Sequence, residues 1–471
     1  MNSQRPNLIY VFADQLRYQS CGFAGDPKAI TSNMDRLATE SVNFINTTSS
    51  HPMCAPYRAS LFTGKYSSST GMVINELRIN PDHHTALGQV LTTGGYATYY
   101  IGKWHLYANQ LGNHDDPKNA FTPRGPHRLG FDGFWASYGF HHTYWDKYYH
   151  SESEERITIP GYEPDGQTDL AIAKLREASA ADQPFALFLS LGTPHDPWTP
   201  DNVPAEYFSM FADTEFTLPP NYKAEDDPHG DKWASLNPEQ RKALPEWMRV
   251  YYAMTANLDW NLGRLMDAVD KLGLRENTIF VFTSDHGEMF GAQGRRAKNI
   301  FYDEAVRVPF LLRWPGHTPA GSTSDVCLDS PDIMPTLLGL LDLPIPDSVE
   351  GMDLSHAALG QSGPEPEAAF LQGMGATAIW EDGHEWRGLR SKQFTYATFR
   401  ADGSELLFDN LTDPYQRQNL IDDPDYIYVL EEFRSQLYGR MTALNDTFEA
   451  CSWYRDHWTK DRVILRTATT K

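Results

Sequence analysis

Apolar residues along this chain cluster in short runs that end abruptly on polar side chains. "NLIYVFA" runs into Asp14, "TYYIG" into Lys103 and His105, "FALFLSLGTP" into His195, and "TIFVFTS" into Asp285 and His286. Runs of this length bounded by turn residues read as buried strands. Between them the period changes. "SNMDRLATESVNF" opens on a helix-start signal, and 248–273, "MRVYYAMTANLDWNLGRLMDAVDKLG", repeats its apolar residues at three- and four-residue spacing until Gly273 stops it. Strands alternating with helices predict an α/β fold, with a largely parallel sheet covered on both faces. Ligands of such sheets bind beyond the carboxyl ends of the strands, where these polar residues gather.

From 196 to 247 the pattern lapses into segments rich in Pro, aromatic and acidic residues, which reads as an irregular excursion forming a rim over the site. After the apolar segment "DIMPTLLGLLDLP" the chain passes through a linker-like "SGPEPEA". Beyond it, "WRGLRSKQFTYATF" and "SELLFDNLTDP" read as antiparallel strands, followed by a helix near 426–446. The expected organisation is a main domain over 1–360 and a smaller C-terminal α+β domain over 361–471 with an antiparallel sheet and a helix.

Composition narrows the function. The 471 residues carry a formal net charge of −22, which argues against nucleic acid or an acidic membrane surface as partner. No stretch is long enough to span a bilayer. The N-terminus has only a short apolar run and no A-x-A-like site, so the expectation is a cytoplasmic protein as written, and a periplasmic or secreted one if a signal has been removed. The four cysteines, at 21, 54, 327 and 451, form no C-x-x-C pair and read as reduced thiols rather than a disulfide framework or a zinc site.

One of these thiols has unusual surroundings. In "CAPYRASLFTG", Pro56 suits a first helical turn, which places Cys54 at a helix N-terminus. Free amides and the helix dipole there favour a bound oxyanion and a lowered thiol pKa, and Arg58 is placed to reach back over the same spot. The alternative from these residues alone is a small buried core cysteine.

C-x-P-x-R followed by "ASLFTGKY", together with "GGYATYYIGKWH", resembles the two signature segments of the type I sulfatases of the alkaline phosphatase superfamily. Further similar blocks run almost the whole length: "NLIYVFADQLR", "TSNMDRLATESVNF", "SLGTPHDPW", "TSDHGEMFG", "KNIFYDEAVRVPFLLRWPG" and "LFDNLTDPYQRQNL". The resemblance implies an alkaline phosphatase-like fold, with a large mixed, mostly parallel sheet sandwiched by helices. It implies hydrolysis of a sulfate ester by a formylglycine made from Cys54 by a formylglycine-generating or radical maturation enzyme. One oxygen of the aldehyde hydrate attacks sulfur, and loss of a proton from the other expels sulfate.

Carried over by motif, Asp14, Asp285 and His286 become metal ligands together with residue 54. Gln15 is a further candidate where many sulfatases have aspartate. Ca²⁺ is the expected ion, with Mn²⁺ or Mg²⁺ compatible with the set. Lys103 and Lys298 would hold the sulfate oxygens. His105 would take the diol proton, and His195 with Lys298 would protonate the leaving oxygen. Arg58 would orient the diol. Tyr57 stands where many sulfatases have serine or alanine.

The expected substrate is a sulfated saccharide or another small sulfate ester. His141, His142, Trp145 and Trp198 are candidates for stacking on a sugar, and Arg295 and Arg296 for contacting a second anionic group. Alternatives are a phosphonate monoester or phosphodiester hydrolase, or a choline-sulfatase-like enzyme, of the same superfamily. A further alternative is a non-catalytic carbohydrate-binding relative whose Cys54 stays a thiol, against which the complete set of site residues argues. The sequence leaves the oligomeric state open.

Overall fold

The computed structural model describes residues 5–470. Ten strands precede the small sheet: β1 (Asn7–Ala13), β2 (Val42–Phe44), β3 (Ala97–Lys103), β4 (Phe134–Tyr138), β5 (Trp145–Tyr149), β6 (Ile157–Tyr162), β7 (Phe185–Ser190), β8 (Thr278–Ser284), β9 (Phe310–Arg313) and β10 (Ser322–Ser324). Eight of them form one sheet in the order β10-β2-β9-β8-β1-β7-β3-β4, while β5 and β6 pair as a separate hairpin-like ribbon. The central pairs β8-β1, β1-β7, β7-β3 and β3-β4 are parallel, and β9 runs antiparallel to both β8 and β2. The sheet is therefore mixed and mostly parallel, as expected.

Strand β1 shows why these runs had to be apolar throughout. Leu8, Tyr10 and Phe12 point into a cluster with Leu61, Phe62 and Leu337 from helices Cys54–Thr63 and Ser330–Leu340. Their neighbours Ile9, Val11 and Ala13 point into the opposite cluster, with Leu175, Leu258 and Leu262 from helices Glu163–Ala178 and Pro238–Lys271. A two-residue period with helices on both sides leaves no solvent face for a polar position. The first polar side chain after each strand then falls at the carboxyl edge. At that edge β3 and β7 also approach closely at Gly102, where a Cβ would lie 2.0 Å from the Ser190 carbonyl oxygen. No side chain fits there.

The helix ending at Lys271 starts at Pro238, ahead of the expected Met248. Its start is set by Asn237, whose side chain accepts from Gln240 N at 2.9 Å while Gln240 Oε1 accepts from Asn237 N at 2.9 Å. This reciprocal cap begins a polar first turn that carries no apolar period. No helix among the described residues is long and apolar enough to cross a membrane.

In the C-terminal part, β11 (Ala368–Gly373), β12 (Trp386–Ser391), β13 (Phe394–Phe399) and β14 (Glu405–Asp409) form an antiparallel meander. One face packs under helix Ile427–Ala443 through Leu430, Phe433 and Leu437. The other face packs on Phe301, Tyr302 and Ala305 of the main domain. The boundary expected after residue 360 is thus no gap. Arg390 and Asp303 pair across it at 2.7 Å, and Arg462 Nη2 donates to both Asn75 O (2.8 Å) and Ala378 O (2.9 Å), tying the chain's end to the site's edge.

Candidate active site

Cys54 is the first residue of its helix and almost wholly buried, at the base of a cleft beyond the carboxyl ends of β1, β3, β7 and β8. Its thiol donates to Asp14 Oδ1 (3.6 Å), lies 3.3 Å from His286 Nε2, and accepts from Lys298 Nζ (3.6 Å). The four strand ends thus bring together residues as far apart in sequence as Asp14 and His286.

The donor atoms of Asp14, Cys54, Asp285 and His286 all lie within 4.8 Å of one another. His286 Nδ1 faces the Gly287 carbonyl at 3.1 Å; as the donor there, it leaves the Nε2 lone pair directed at the two carboxylates, 3.5 Å from each. An imidazole whose far nitrogen is held by a backbone carbonyl is the usual form of a metal-ligating histidine. Two of the four donors are carboxylate oxygens, and with an oxygen of formylglycine at position 54 the set would fit a hard divalent cation.

Electrostatics at this centre are crowded. Burial opposes ionisation of Asp14, but the positive charges of Lys103 and Lys298 hold its carboxyl well below the ordinary range. Asp285 moves the other way, to about 6, through burial and the charge of Asp14. Two buried carboxylates facing one imidazole are a repulsive arrangement that a divalent cation neutralises. Burial, followed by the positive charge of Lys103 and Arg58, pulls His105 well below the ordinary histidine value, and burial and Lys298 do the same to His195. Both imidazoles are therefore neutral near neutral pH.

The lowered thiol pKa expected for Cys54 at a helix start is not found. Burial, and then Asp14, push it up to about 11, because desolvation and a neighbouring carboxylate outweigh the helix terminus and two lysines. This cysteine is a protonated thiol in the unmodified chain. The four cysteines are free and buried.

Lys103 Nζ is bonded to Asp14 Oδ2. Lys298 Nζ donates to Gln15 Oε1 at 2.9 Å and to His195 Nε2 at 2.8 Å, while His195 Nδ1 faces the Asp196 carbonyl at 2.9 Å. His105 lines the cleft against Phe140, with ring centroids 4.3 Å apart. The residue expected to orient the diol is Arg58. Its guanidinium is fully buried and donates to Lys103 O (2.6 Å), Ser190 Oγ (2.7 Å) and Asp285 Oδ2 (3.4 Å), so it braces the carboxylates from below. Tyr57 turns into the core, its hydroxyl 3.0 Å from that of Tyr10.

The cleft holds about 280 Å³. Of the residues expected at its rim, His142 and Arg296 line it, His142 with its ring 4.5 Å from that of His195 and Arg296 paired with Asp196 at 3.2 Å. The other four do not. His141 stacks on Tyr138 with ring centroids 3.9 Å apart and bonds buried Glu163 at 2.9 Å. Trp198 is a core residue among Trp247, Tyr251 and Phe290, its Nε1 donating to Pro194 O at 2.8 Å. Trp145 lies exposed on β5 against Tyr162, outside the cleft. Arg295 is buried in an ion pair with Asp227 at 2.9 Å. Each finds a local partner that the sequence pattern alone does not reveal.

Other lining residues were not anticipated: Glu76, His114, Trp233 and Thr377. Trp233 comes from the irregular excursion, which is anchored where Asp231 Oδ2 accepts from Thr377 N at 2.5 Å. Thr377 follows β11, so the smaller sheet contributes to the cleft wall. Glu288, also missed, lies behind Gln15 and accepts from its Nε2 at 2.6 Å. Its place two residues after His286 in "DHGE" was the one available signal.

Residues 6–343 match the family model described as Sulfatase, and residues 291–443 match that for the C-terminal part of N-sulphoglucosamine sulphohydrolase. An ulvan-active sulfatase of Formosa agariphila is 35% identical over 457 residues, covering 96% of this chain and 84% of that protein. A solved Bacteroides thetaiotaomicron structure, described under the metabolism of multiple glycosaminoglycans, aligns with a TM-score of 0.80 at 26% identity over 96% of this chain and 98% of the other. The fold is shared with a phosphonate monoester hydrolase of Silicibacter pomeroyi, with a TM-score of 0.73 at 21% identity over 93% of this chain and 96% of that one.

Proposed function

The chain belongs to the sulfatase family and hydrolyses sulfate esters; on that premise we propose that the ester is carried by a saccharide, and that residue 54 acts as formylglycine beside a calcium ion. The observation that carries this reading is the convergence of Cys54 with Asp14, Asp285, His286 and Lys298 at the base of one cleft. Cys54 Sγ stands where an oxygen of the hydrated aldehyde would be.

A bound cation would neutralise the carboxylate pair and favour the ionised form of the nucleophile. The chain's own residues supply the rest. One hydrate oxygen attacks sulfur as the bond from sulfur to the sugar oxygen breaks, and the departing oxygen takes a proton from the Lys298–His195 pair. Lys103 and Lys298 line the cleft with Cys54 and offset the charge that builds on the sulfuryl oxygens. Neutral His105 then accepts the proton of the second hydroxyl. The bond from carbon to the sulfated oxygen breaks, sulfate leaves, and the aldehyde returns.

A saccharide substrate is supported by the cleft's lining. Glu76, His114, His142 and Trp233 offer polar atoms and ring faces, and Arg296 adds a cation at the edge. The ulvan and glycosaminoglycan associations of its relatives point the same way.

Co-production with a maturation enzyme, peptide mass spectrometry across residue 54, and measurement of sulfate released from sulfated oligosaccharides test this reading. Released sulfate should rise in proportion to the converted fraction and be absent in C54A. Turnover by unconverted protein or by C54A would contradict it.

A further inference from the structure

Gln15 directly follows Asp14 of the candidate metal group, and its carboxamide has two possible orientations of opposite consequence. The structure fixes one. Its Nε2 donates to Glu288 Oε2 at 2.6 Å, and its Oε1 accepts from Lys298 Nζ at 2.9 Å. Turning the amide over would set a carbonyl oxygen against a carboxylate and an NH₂ against an ammonium, losing both bonds. Gln15 has a left-handed backbone, φ 73°, and its N–H donates to Asp285 Oδ1 at 3.0 Å, so the main chain is held as well.

Glu288 is itself immobilised. It is fully buried, and Oε1 accepts from Phe290 N (3.0 Å) and Ala297 N (2.8 Å). Those two amides bracket the turn-rich segment that ends at Lys298. One carboxylate therefore joins the loop carrying Lys298 to the side chain of Gln15. A lone buried carboxylate with no lysine or arginine in hydrogen-bond contact is costly unless its oxygens are hydrogen-bonded, and here three N–H groups bond both of them.

We propose that Glu288 is a positioning residue that holds the Gln15 carboxamide with its oxygen toward the cation position and Lys298. The inference rests on the cation reading of the site given above. An aspartate at 15 needs no acceptor behind it and would face Glu288 with like charge; a glutamine needs that acceptor. Glu288 touches neither substrate nor reacting atoms and acts through Gln15 alone.

The test exchanges the two groups. In E288Q the new amide must present its oxygen to the backbone N–H groups of residues 290 and 297, so its NH₂ meets the NH₂ of Gln15, which has to turn over. In the double variant Q15E/E288Q the donor and acceptor are interchanged, every hydrogen bond is restored, and a carboxylate oxygen faces the cation.

Titration calorimetry of the full chain with Ca²⁺ should show E288Q binding about 10- to 100-fold more weakly than wild type, as loss of a partner behind a ligand does. The exchange variant should bind at least as tightly as wild type. Far-ultraviolet circular dichroism without added Ca²⁺ establishes that each variant is folded. If E288Q is too unstable to titrate, the exchange variant decides alone, and weaker binding than wild type refutes the proposal. Unchanged affinity in a folded E288Q refutes it too, while the cation reading stands. Failure of wild type to bind Ca²⁺ overturns both.

Discussion

Lys298 sets its Nζ 2.8 Å from Nε2 of His195, although 103 positions separate the two in sequence. The imidazole is neutral and the ammonium donates to it, so a proton is held between the two groups. The same Nζ reaches Cys54 Sγ at 3.6 Å, joining the nucleophile position to the acid position through one cation.

Lys298→Ala should therefore lower kcat by about 10²- to 10³-fold, the effect of removing one preorganised charge stabiliser, with little change in thermal stability. Steady-state kinetics on a sulfated oligosaccharide measure this. A rise confined to KM would mean that Lys298 binds substrate without favouring the transition state.

The cation reading makes a separate prediction. Exhaustive chelation, verified by elemental analysis, should abolish sulfate release and lower the thermal midpoint, and Ca²⁺ should restore both. At a hundredfold excess over its dissociation constant, a ligand bound only by the native state contributes about 2.7 kcal/mol. Full activity in demonstrably metal-free protein would exclude a cation at Asp14, Asp285 and His286.

Arg295 and Arg296 are adjacent in sequence and opposite in effect. R296A removes a cation from the cleft and should raise KM for an anionic saccharide while leaving stability nearly unchanged. R295A removes a buried guanidinium from its pair with half-buried Asp227, which keeps its bond from His229 N at 2.9 Å, and should cost about 1.5–3 kcal/mol in urea unfolding, with little effect on KM of the remaining folded enzyme. Equal kinetic effects of the two would show that the cleft extends past Arg296.

That pair shows where sequence reading stops. "GAQGRRAKN" says that two arginines lie near Asp285 and Lys298, but which one faces the cleft depends on Asp227 and Asp196, carboxylates from another part of the chain. Trp198 is similar: an aromatic three residues after His195 reads as a rim until Trp247 and Phe290 are seen around it. The strands β1, β3, β7 and β8 were legible because both faces of each are buried, which leaves continuous apolar runs with chemistry at their ends. Strands β2, β9 and β10, three or four residues long, carry too little pattern. Thr377 and Trp233 meet in the cleft wall only through tertiary contacts.

His51 gives a pH prediction away from the chemistry. Burial, then repulsion from Arg387, pull its imidazole down to about 3 from the ordinary 6.5, and its Nδ1 lies 2.8 Å from Ser67 Oγ. Below pH 6.5 the unfolded chain takes up a proton here that the native chain refuses, so this contribution to stability is present above 6.5 and is lost as pH falls. At pH 5 the loss is roughly 2 kcal/mol. Urea unfolding at pH 7.5 and pH 5 should show a smaller difference for H51Q than for wild type. Identical differences would mean that His51 is protonated in the native state.

The measurement that bears most directly on the central claim is the ratio of kcat/KM for a sulfated oligosaccharide to that for a phosphonate monoester, using protein whose residue 54 is shown to be fully converted. The fold is shared with a phosphonate monoester hydrolase, and a site with Lys103 and Lys298 around one cation position admits either anion. Cleft residues such as His142, Trp233 and Arg296 favour the sugar. A ratio of at least about 10², equivalent to roughly 2.7 kcal/mol of transition-state discrimination, is the predicted result. Rapid turnover of phosphonate monoesters with no sulfate released from any sulfated glycan in a broad panel would contradict it.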